Sequence, residues 1–99
     1  MTGDPAVSSS ITIANSIIEC PGCGDNWLHQ GRVEVFDRSE DQPNHGIAII
    51  NGGAFPTTEG QNPSPRRQGM LIYFVCENCN SFPILAIFQH KGQTFIKWV

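Results

Sequence analysis

The stretch CPGCG, at residues 20–24, places two cysteines three positions apart around a proline and a glycine. The same spacing recurs as CENCN at residues 76–80, and the two stretches hold all four cysteines of the protein. Proline presets one backbone angle and Gly22 permits a tight bend, so a short turn can point both sulfur atoms at one place. Gly24 in the first stretch, like Asn78 and Asn80 in the second, tolerates a left-handed backbone.

The two cysteine pairs predict one zinc site whose ligands are Cys20, Cys23, Cys76 and Cys79. Four thiolates are a common tetrahedral ligand set for structural zinc, with Zn–S distances of about 2.3 Å. Because protein atoms would fill all four positions, we expect the zinc to be structural rather than catalytic. Disulfide or redox use of the cysteines, iron binding and the absence of any metal are the alternatives. A thioredoxin-like redox pair would be expected in a βαβ context, which the sequence does not show.

Short apolar segments separated by turns predict an all-β fold. Ten Gly and seven Pro in 99 residues favour turns and short strands over long helices. The continuous apolar run MLIYFVC predicts a central strand that leads into the second cysteine pair. Apolar runs on both sides of residues 90–93 predict a β-hairpin. We predict about five to seven strands in antiparallel sheets or hairpins, and the segments concerned are residues 10–18, 31–38, 47–50, 70–76 and 82–99.

Other segments have different patterns. In GRVEVFDR, Val33 and Val35 alternate with Arg32 and Glu34, which predicts a half-buried strand with valines on one side and charged side chains on the other. Residues 54–69 contain three prolines and two glycines without apolar periodicity, and we predict a loop. Residues 1–9 are small and polar, which predicts a flexible N-terminal tail before a single zinc-binding β domain at residues 10–99.

The charge distribution favours a protein partner over a nucleic acid. The formal net charge is −3; residues 1–59 carry eight acidic and two basic side chains, whereas residues 60–99 carry one acidic and four basic. Non-specific nucleic-acid binding depends on many contacts between cations and phosphates, which an acidic protein supplies poorly. The N-terminus has no signal-peptide pattern and no apolar run approaches a membrane span, so we expect a cytoplasmic protein without a membrane partner.

The basic residues of the C-terminal part form one candidate binding surface. Arg66 and Arg67 lie in the proline-rich segment, and guanidinium groups can bind phosphate or carboxylate through paired hydrogen bonds. Lys91, at the predicted hairpin tip, and Lys97, on the last strand, could extend this surface. A solvated loop is the alternative interpretation.

The remaining polar residues show no catalytic constellation. His29, His45 and His90 are not needed as ligands because four cysteines complete the coordination of zinc, and we expect these histidines in turns or on the surface. The acidic stretch at residues 37–41 lacks the spacing of a calcium loop and is predicted to be a solvated turn. Trp98 follows the alternation of the last strand and is expected in the core. We predict a protein that is not an enzyme.

The paired Cys-x-x-Cys turns of CPGCG and CENC resemble those of zinc ribbons. Zinc ribbons serve in transcription factors, polymerase subunits, primases, ribosomal proteins and protein adaptors, so the resemblance implies a metal but not a partner. The long segment between the pairs also resembles the β-tent group: Yippee, the cereblon ligand-binding domain and B-type methionine sulfoxide reductases. In that group, two distant pairs hold zinc between antiparallel sheets. Trp27 and Trp98 do not match its cage tryptophans, and no fifth cysteine matches the reductase nucleophile.

Longer stretches, HQGRVEVFDRSED, NPSPRRQGMLIYFVCENC and QHKGQTFIKW, are similar to segments of small uncharacterised bacterial proteins, some of phage type, and this similarity implies no activity. Three functional hypotheses follow. The first is a non-catalytic zinc module that acts as a protein-interaction or regulatory adaptor. The second is a nucleic-acid-binding zinc ribbon that uses the basic residues. The third is a β-tent that binds a small ligand in an aromatic pocket, lined by Phe74, Phe82, Phe88 and Trp98.

Overall fold

The structure of the protein is a computed structural model that describes residue 11 and residues 13–14, 16–40, 42–43, 45–57 and 62–99. The predicted tail at residues 1–9 lies outside these residues. The described residues contain strands and no helix, which confirms the all-β prediction, and thus no helix that could cross a membrane. The strands are β1 (Ile13–Ala14), β2 (Ile17–Ile18), β3 (Leu28–Asp37), β4 (His45–Ile50), β5 (Gly53–Thr57), β6 (Gly69–Cys76), β7 (Ile84–His90) and β8 (Gln93–Trp98).

Six of the strands form one antiparallel sheet in the order β5-β4-β3-β6-β7-β8, and β1 and β2 form a separate small hairpin. Strand β6 is central, as its continuous apolar sequence predicts, because β3 pairs with it on one side and β7 on the other. The predicted hairpin is formed by β7 and β8. Its turn residues Lys91 and Gly92 both have positive φ, 52° and 78°, as the common two-residue hairpin turn requires.

Two predictions of local structure are wrong. The predicted loop at residues 54–69 begins with β5, because Asn51 and Gly52, with φ of 50° and 80°, form a two-residue turn that returns the chain along β4. Pro56 is tolerated there because β5 is an edge strand. The predicted strand at residues 10–18 is instead divided into β1 and β2 by a turn in which Ser16 has a φ of 64°. The described residues therefore form eight strands.

One side of the sheet, which we call the core face, holds the main cluster of buried side chains. Phe36, Leu71, Ala86 and Phe88 form a cluster in which each side chain is at most 6% exposed. The loop of residues 62–68 packs over the end of this cluster. Its Ser64 is buried and donates a hydrogen bond to the Gln89 carbonyl oxygen, 2.7 Å away. The loop is thereby fixed across β6 and β7.

The other side of the sheet, which we call the apolar face, is less completely covered. The alternation in β3 is as predicted, but the side that carries Glu34 is the more buried one: Glu34 is 3% exposed and Phe36 is 1% exposed. On the apolar face, Trp98 is buried as predicted, whereas Ile47, Ile49 and Ile96 are 50%, 44% and 41% exposed. The register places these side chains on the apolar face: Val33, Val35, Ile47, Ile49, Ala54, Pro56, Met70, Ile72, Leu85, Ile87, Ile96 and Trp98.

Candidate metal centre

The two Cys-x-x-Cys turns have the same backbone geometry. In the first turn the Gly24 N–H donates to the Cys20 carbonyl oxygen over 2.9 Å, and in the second the Asn80 N–H donates to the Cys76 carbonyl oxygen over 3.0 Å. Both donors have positive φ, 81° for Gly24 and 56° for Asn80, as their residue types predict. Asn78 does not adopt positive φ. Its side-chain amide instead lies 3.5 Å from the Cys23 sulfur and can donate to it.

The sheet brings the two turns together at one end. The first turn precedes β3 and the second follows β6, and these strands pair so that Leu28 lies opposite Cys76. A backbone hydrogen bond from the Glu77 N–H to the Trp27 carbonyl oxygen, 3.0 Å long, continues this pairing beyond the strands. Two cysteine pairs that are distant in the sequence therefore meet, because the start of β3 and the end of β6 lie side by side at the same end of the sheet. We call this end the metal end of the sheet.

The four sulfur atoms form a cluster that could hold one metal ion. They lie within 4.8 Å of one another, with Cys20 and Cys76 buried and Cys23 and Cys79 exposed. The Cys20–Cys79 sulfur separation is 3.8 Å and the Cys23–Cys76 separation is 3.6 Å. A zinc tetrahedron with Zn–S distances of about 2.3 Å has edges of about 3.8 Å. A disulfide requires about 2.05 Å between sulfur atoms, so these four cysteines are not paired in disulfides, and their separations are consistent with a site for one metal ion.

The hydrogen bonds around the cluster shift the thiol pKa values in opposite directions. Burial raises the pKa of Cys20, but the backbone N–H groups of Cys23 and Gly22, with the Ser81 hydroxyl, outweigh it and lower the pKa from 9.0 to about 6. The Cys79 backbone N–H lowers the pKa of Cys76, but burial and the neighbouring thiols raise it to about 11. The Ser81 hydroxyl and backbone lower the pKa of Cys79. A dication would stabilise all four thiolates together.

Ser81 is a part of the site that the cysteine spacing does not predict. Its hydroxyl oxygen lies 3.0 Å from the Cys79 sulfur and 3.7 Å from the Cys20 sulfur, so it bridges the two turns. Hydrogen bonds of this kind orient metal ligands and tune their basicity. The only sequence signal was its position two residues after the last cysteine.

The three histidines lie outside the sulfur cluster. His29 is exposed and its Nε2 atom lies 2.7 Å from the Glu77 carboxylate, across the β3–β6 pair. His45 is exposed at the start of β4, and His90 is half-buried with its ring edge against Phe95. None of the three is part of the group of side chains that could bind the metal.

The structure brings three of the four predicted basic residues together. Arg66, Arg67 and Lys91 line a depression of about 340 Å³ with His90, whereas Lys97 is not among its lining residues. The Lys97 ammonium lies over the Phe88 ring, 5.8 Å from its centre. The acidic stretch predicted as a solvated turn contributes Glu40 to the same depression. Its two carboxylate oxygens accept hydrogen bonds from Arg66 and Arg67 over 2.7 and 2.8 Å, which partly neutralises their charge.

The predicted aromatic pocket is not formed. Phe74 and Trp98 contact each other edge to face, with ring centres 6.0 Å apart, but Phe88 lies on the core face and stacks on Phe95. Phe82 is 74% exposed. These rings point to different sides of the sheet because Trp98 pairs opposite Leu85, whose side chain points away from that of Phe88.

The strongest polar network away from the metal end was not predicted. The buried Glu34 carboxylate accepts a hydrogen bond from the Tyr73 hydroxyl over 2.7 Å and from Arg32 Nε over 3.1 Å. The Arg32 guanidinium also lies 5.7 Å from the centre of the Tyr73 ring. Burial and this hydrogen bond to Glu34 raise the pKa of Tyr73. The alternation in β3 predicted only that Glu34 lies on the charged side of the strand. The pairing of β3 with β6 shows that Tyr73 supplies a hydrogen bond to its buried carboxylate.

The chain matches no known protein family, no curated protein and no solved structure. A metal site is therefore supported by geometry alone: four clustered cysteines, in two turns of similar conformation, at one end of an all-β sheet.

Proposed function

We propose that the protein is a non-catalytic binding module in which one structural zinc ion shapes the metal end of the sheet for docking to a protein partner. The four thiolates would fill the coordination sphere of zinc, so the ion would stabilise the fold and leave no position for a substrate. This interpretation agrees with the resemblance of the two turns to zinc ribbons, several of which act as adaptors.

The observation that carries the proposal is the exposure of two large aromatic side chains at the metal end. Trp27 is 62% exposed and Phe82 is 74% exposed. Trp27 is anchored through its carbonyl oxygen to Glu77 in the second turn, and Phe82 directly follows Ser81. Aromatic side chains on a rigid backbone are the residues that most often dominate protein–protein binding energy. The zinc would hold both of them in place.

A crosslinking experiment followed by calorimetry tests this docking surface. A photoreactive amino acid at position 82 would trap the partner covalently, and the partner would then be purified and titrated with the zinc-loaded protein. Trp27→Ala and Phe82→Ala should each weaken binding about 30-fold or more, as expected for central interface aromatics. Phe55→Ala is the matched control, because Phe55 is 54% exposed on the edge strand β5. The proposal would be contradicted if the wild type and the three variants bound the partner with equal affinity.

A second candidate function is phosphate-backbone binding at the basic depression, which is favoured by the meeting of Arg66, Arg67 and Lys91 around one cavity. A nucleic-acid phosphate would have to displace Glu40 from the two arginines. Oligonucleotide binding should then fall steeply with salt, and Arg66→Ala combined with Arg67→Ala should reduce the slope of log K against log salt by about 2. Absence of any mobility shift at low salt would exclude this function.

A further inference from the structure

The apolar face extends across the whole sheet and is only partly covered by the described residues: Leu85 and Trp98 are buried, at 2% and 5% exposed, whereas the rest of the face is not. Ile47 and Ile49 on β4 and Ile96 on β8 are between 41% and 50% exposed, and Val33, Val35, Met70, Ile72 and Ile87 between them are only partly buried. Contiguous apolar surfaces of this kind are rare on soluble monomers and mark interaction sites. The question is which layer covers the face.

The residues of this sequence that lie outside the described ranges are poorly suited to supply that layer. The residues outside the described ranges include only two large apolar side chains, Met1 and Val7, and the others are small, polar or charged. A segment that covers an apolar sheet needs alternating apolar side chains to face it, as the second sheet of a sandwich has. The apolar face of a second copy of this chain carries side chains of that kind.

We propose that the apolar face is the interface of a two-fold dimer, in which the sheets of two copies of this chain pack face to face. Two-fold symmetry places the same surface on both sides of the interface, so a surface that carries charge would meet its own charge. The apolar face carries no Lys, Arg or Glu among its described strand residues, and Asp37 lies only at its far end. Such a surface meets itself without repulsion.

The dimensions of the sheet are sufficient for this interface. The protein extends 40 × 38 Å along its two longer axes. A stable interface needs about 800 Å² from each partner. Six strands about 4.8 Å apart span about 24 Å, and strands of five to ten residues run about 17–34 Å, so most of the face would have to take part. Two sheets would then pack about 10 Å apart, as in a β-sandwich. A groove of about 490 Å³, lined by Val35, Ile47, Met70 and Ile87 and at its polar end by Asp37 and Gln89, would receive side chains of the second copy.

The charged side chains of the sheet support the same orientation. Arg32 and Glu34 pair with each other on the core face, and Lys97 lies over Phe88 on that face. The dimer would leave these charges undisturbed and would leave the metal end accessible. The inference is therefore independent of the docking surface at Trp27 and Phe82.

Sedimentation equilibrium of the zinc-loaded protein, with two lysine variants and a matched control, tests the dimer. The wild type should sediment with about twice the mass of one 10.9 kDa chain. Ile47→Lys on β4 and Ile96→Lys on β8 should each weaken self-association by at least about 100-fold, because each would bury an unpaired charge in the interface. Phe55→Lys changes a side chain of similar exposure on the other side of the sheet and should remain dimeric. Circular dichroism and NMR spectra would establish that each variant is folded.

A direct readout comes from a sample that mixes isotope-labelled and unlabelled chains. Filtered nuclear Overhauser effects should connect the Ile72 methyl groups, at the centre of the apolar face, with methyl groups of the unlabelled copy. A folded wild type that is monomeric at about 100 µM, where an interface of standard size is populated, would overturn the proposal. The proposal would also be overturned by a dimer that neither lysine variant weakens. A monomer whose apolar face binds a different protein would overturn it as well.

Discussion

The sulfur atoms of Cys23 and Cys76 lie 3.6 Å apart although 53 positions separate the two residues in the sequence. The chain between them contains β3, β4, β5 and β6, and in the folded protein the pairing of β3 with β6 brings the two sulfur atoms together. A metal ion at the four sulfur atoms would join the start of β3 to the end of β6 and close this long loop. Binding of the metal and folding of the sheet should therefore be coupled.

Removal of the metal is expected to unfold the protein. A structural zinc contributes on the order of 10 kcal/mol or more to folding, whereas small domains are stable by only about 5–15 kcal/mol. A zinc chelator should abolish the thermal unfolding transition seen by circular dichroism, and added zinc should restore it. Native mass spectrometry of the wild type should show one zinc ion, and that of Cys76→Ser should show none. An unchanged melting temperature after chelation would contradict the structural role.

The Cys20 thiolate should make the stability of the protein fall as the pH is lowered. The pKa of Cys20 is about 6 in the folded protein and ordinarily 9.0. A lowered pKa means that the thiolate stabilises the folded state, so the contribution is complete above pH 9 and is lost as the pH falls through 6. A bound dication would lower the pKa further and shift this loss to lower pH.

The variant Ser81→Ala provides the control for this pH dependence, because it keeps all four cysteines and removes a hydroxyl whose hydrogen bond lowers the pKa of Cys20. Chemical denaturation of the wild type and the variant at several pH values, each in matched zinc buffer, should show that the variant loses stability at a higher pH than the wild type. The same pH dependence for both proteins would show that this hydrogen bond does not favour the thiolate.

The parts of the structure that the sequence predicts correctly are those specified by local chemistry. The spacing of Cys20, Cys23, Cys76 and Cys79 predicts the cluster, because a Cys-x-x-Cys turn needs only its own few residues to aim two sulfur atoms. The apolar run of β6 predicts a central strand, because such a strand is flanked on both sides. The hairpin at Lys91 and Gly92 is likewise specified by adjacent residues.

The parts that the sequence does not predict depend on strand pairing. Pro56 argued against a strand, and only the position of β5 at the sheet edge makes this proline acceptable. Glu34 alternates with valines as an exposed residue would, but Tyr73 on the paired strand β6 and Arg32 beside the bulge in β3 make its burial favourable. The alternation shows two sides of a strand without showing which side is buried.

The two glutamates Glu34 and Glu77 should differ sharply in their contribution to stability. Glu34→Ala would leave the Tyr73 hydroxyl and the Arg32 guanidinium without their buried partner, and a loss of about 3–5 kcal/mol is expected. Tyr73→Phe removes one hydrogen bond to a charged group and should cost about 1.5–3 kcal/mol. Glu77→Ala is the control: its ion pair with His29 is exposed and should contribute less than about 1 kcal/mol. Urea unfolding of the zinc-loaded proteins measures all three, and equal losses would contradict the network.

The loop of residues 62–68 should depend on the absence of a side chain at Gly69. A Cβ atom built at Gly69 would lie 2.8 Å from Pro63 Cδ and would also collide with the Asn62 side chain. Gly69→Ala must therefore push the loop away from the core face and weaken the hydrogen bond between Ser64 and the Gln89 carbonyl oxygen. We expect a loss of about 1–3 kcal/mol, as is typical of overpacking.

Gly31→Ala is the matched control for this substitution, because its Cβ atom would have the Tyr73 carbonyl oxygen as its nearest contact, at 3.8 Å. Hydrogen exchange should show faster exchange of the Arg66 and Arg67 backbone N–H groups, which donate to the Ser64 hydroxyl oxygen, in Gly69→Ala and not in Gly31→Ala. The depression lined by Arg66, Arg67 and Lys91 would widen with the loop. Gly69→Ala should therefore also change any phosphate binding at that site, whereas unchanged exchange and unchanged stability would show that the loop is not held through Gly69.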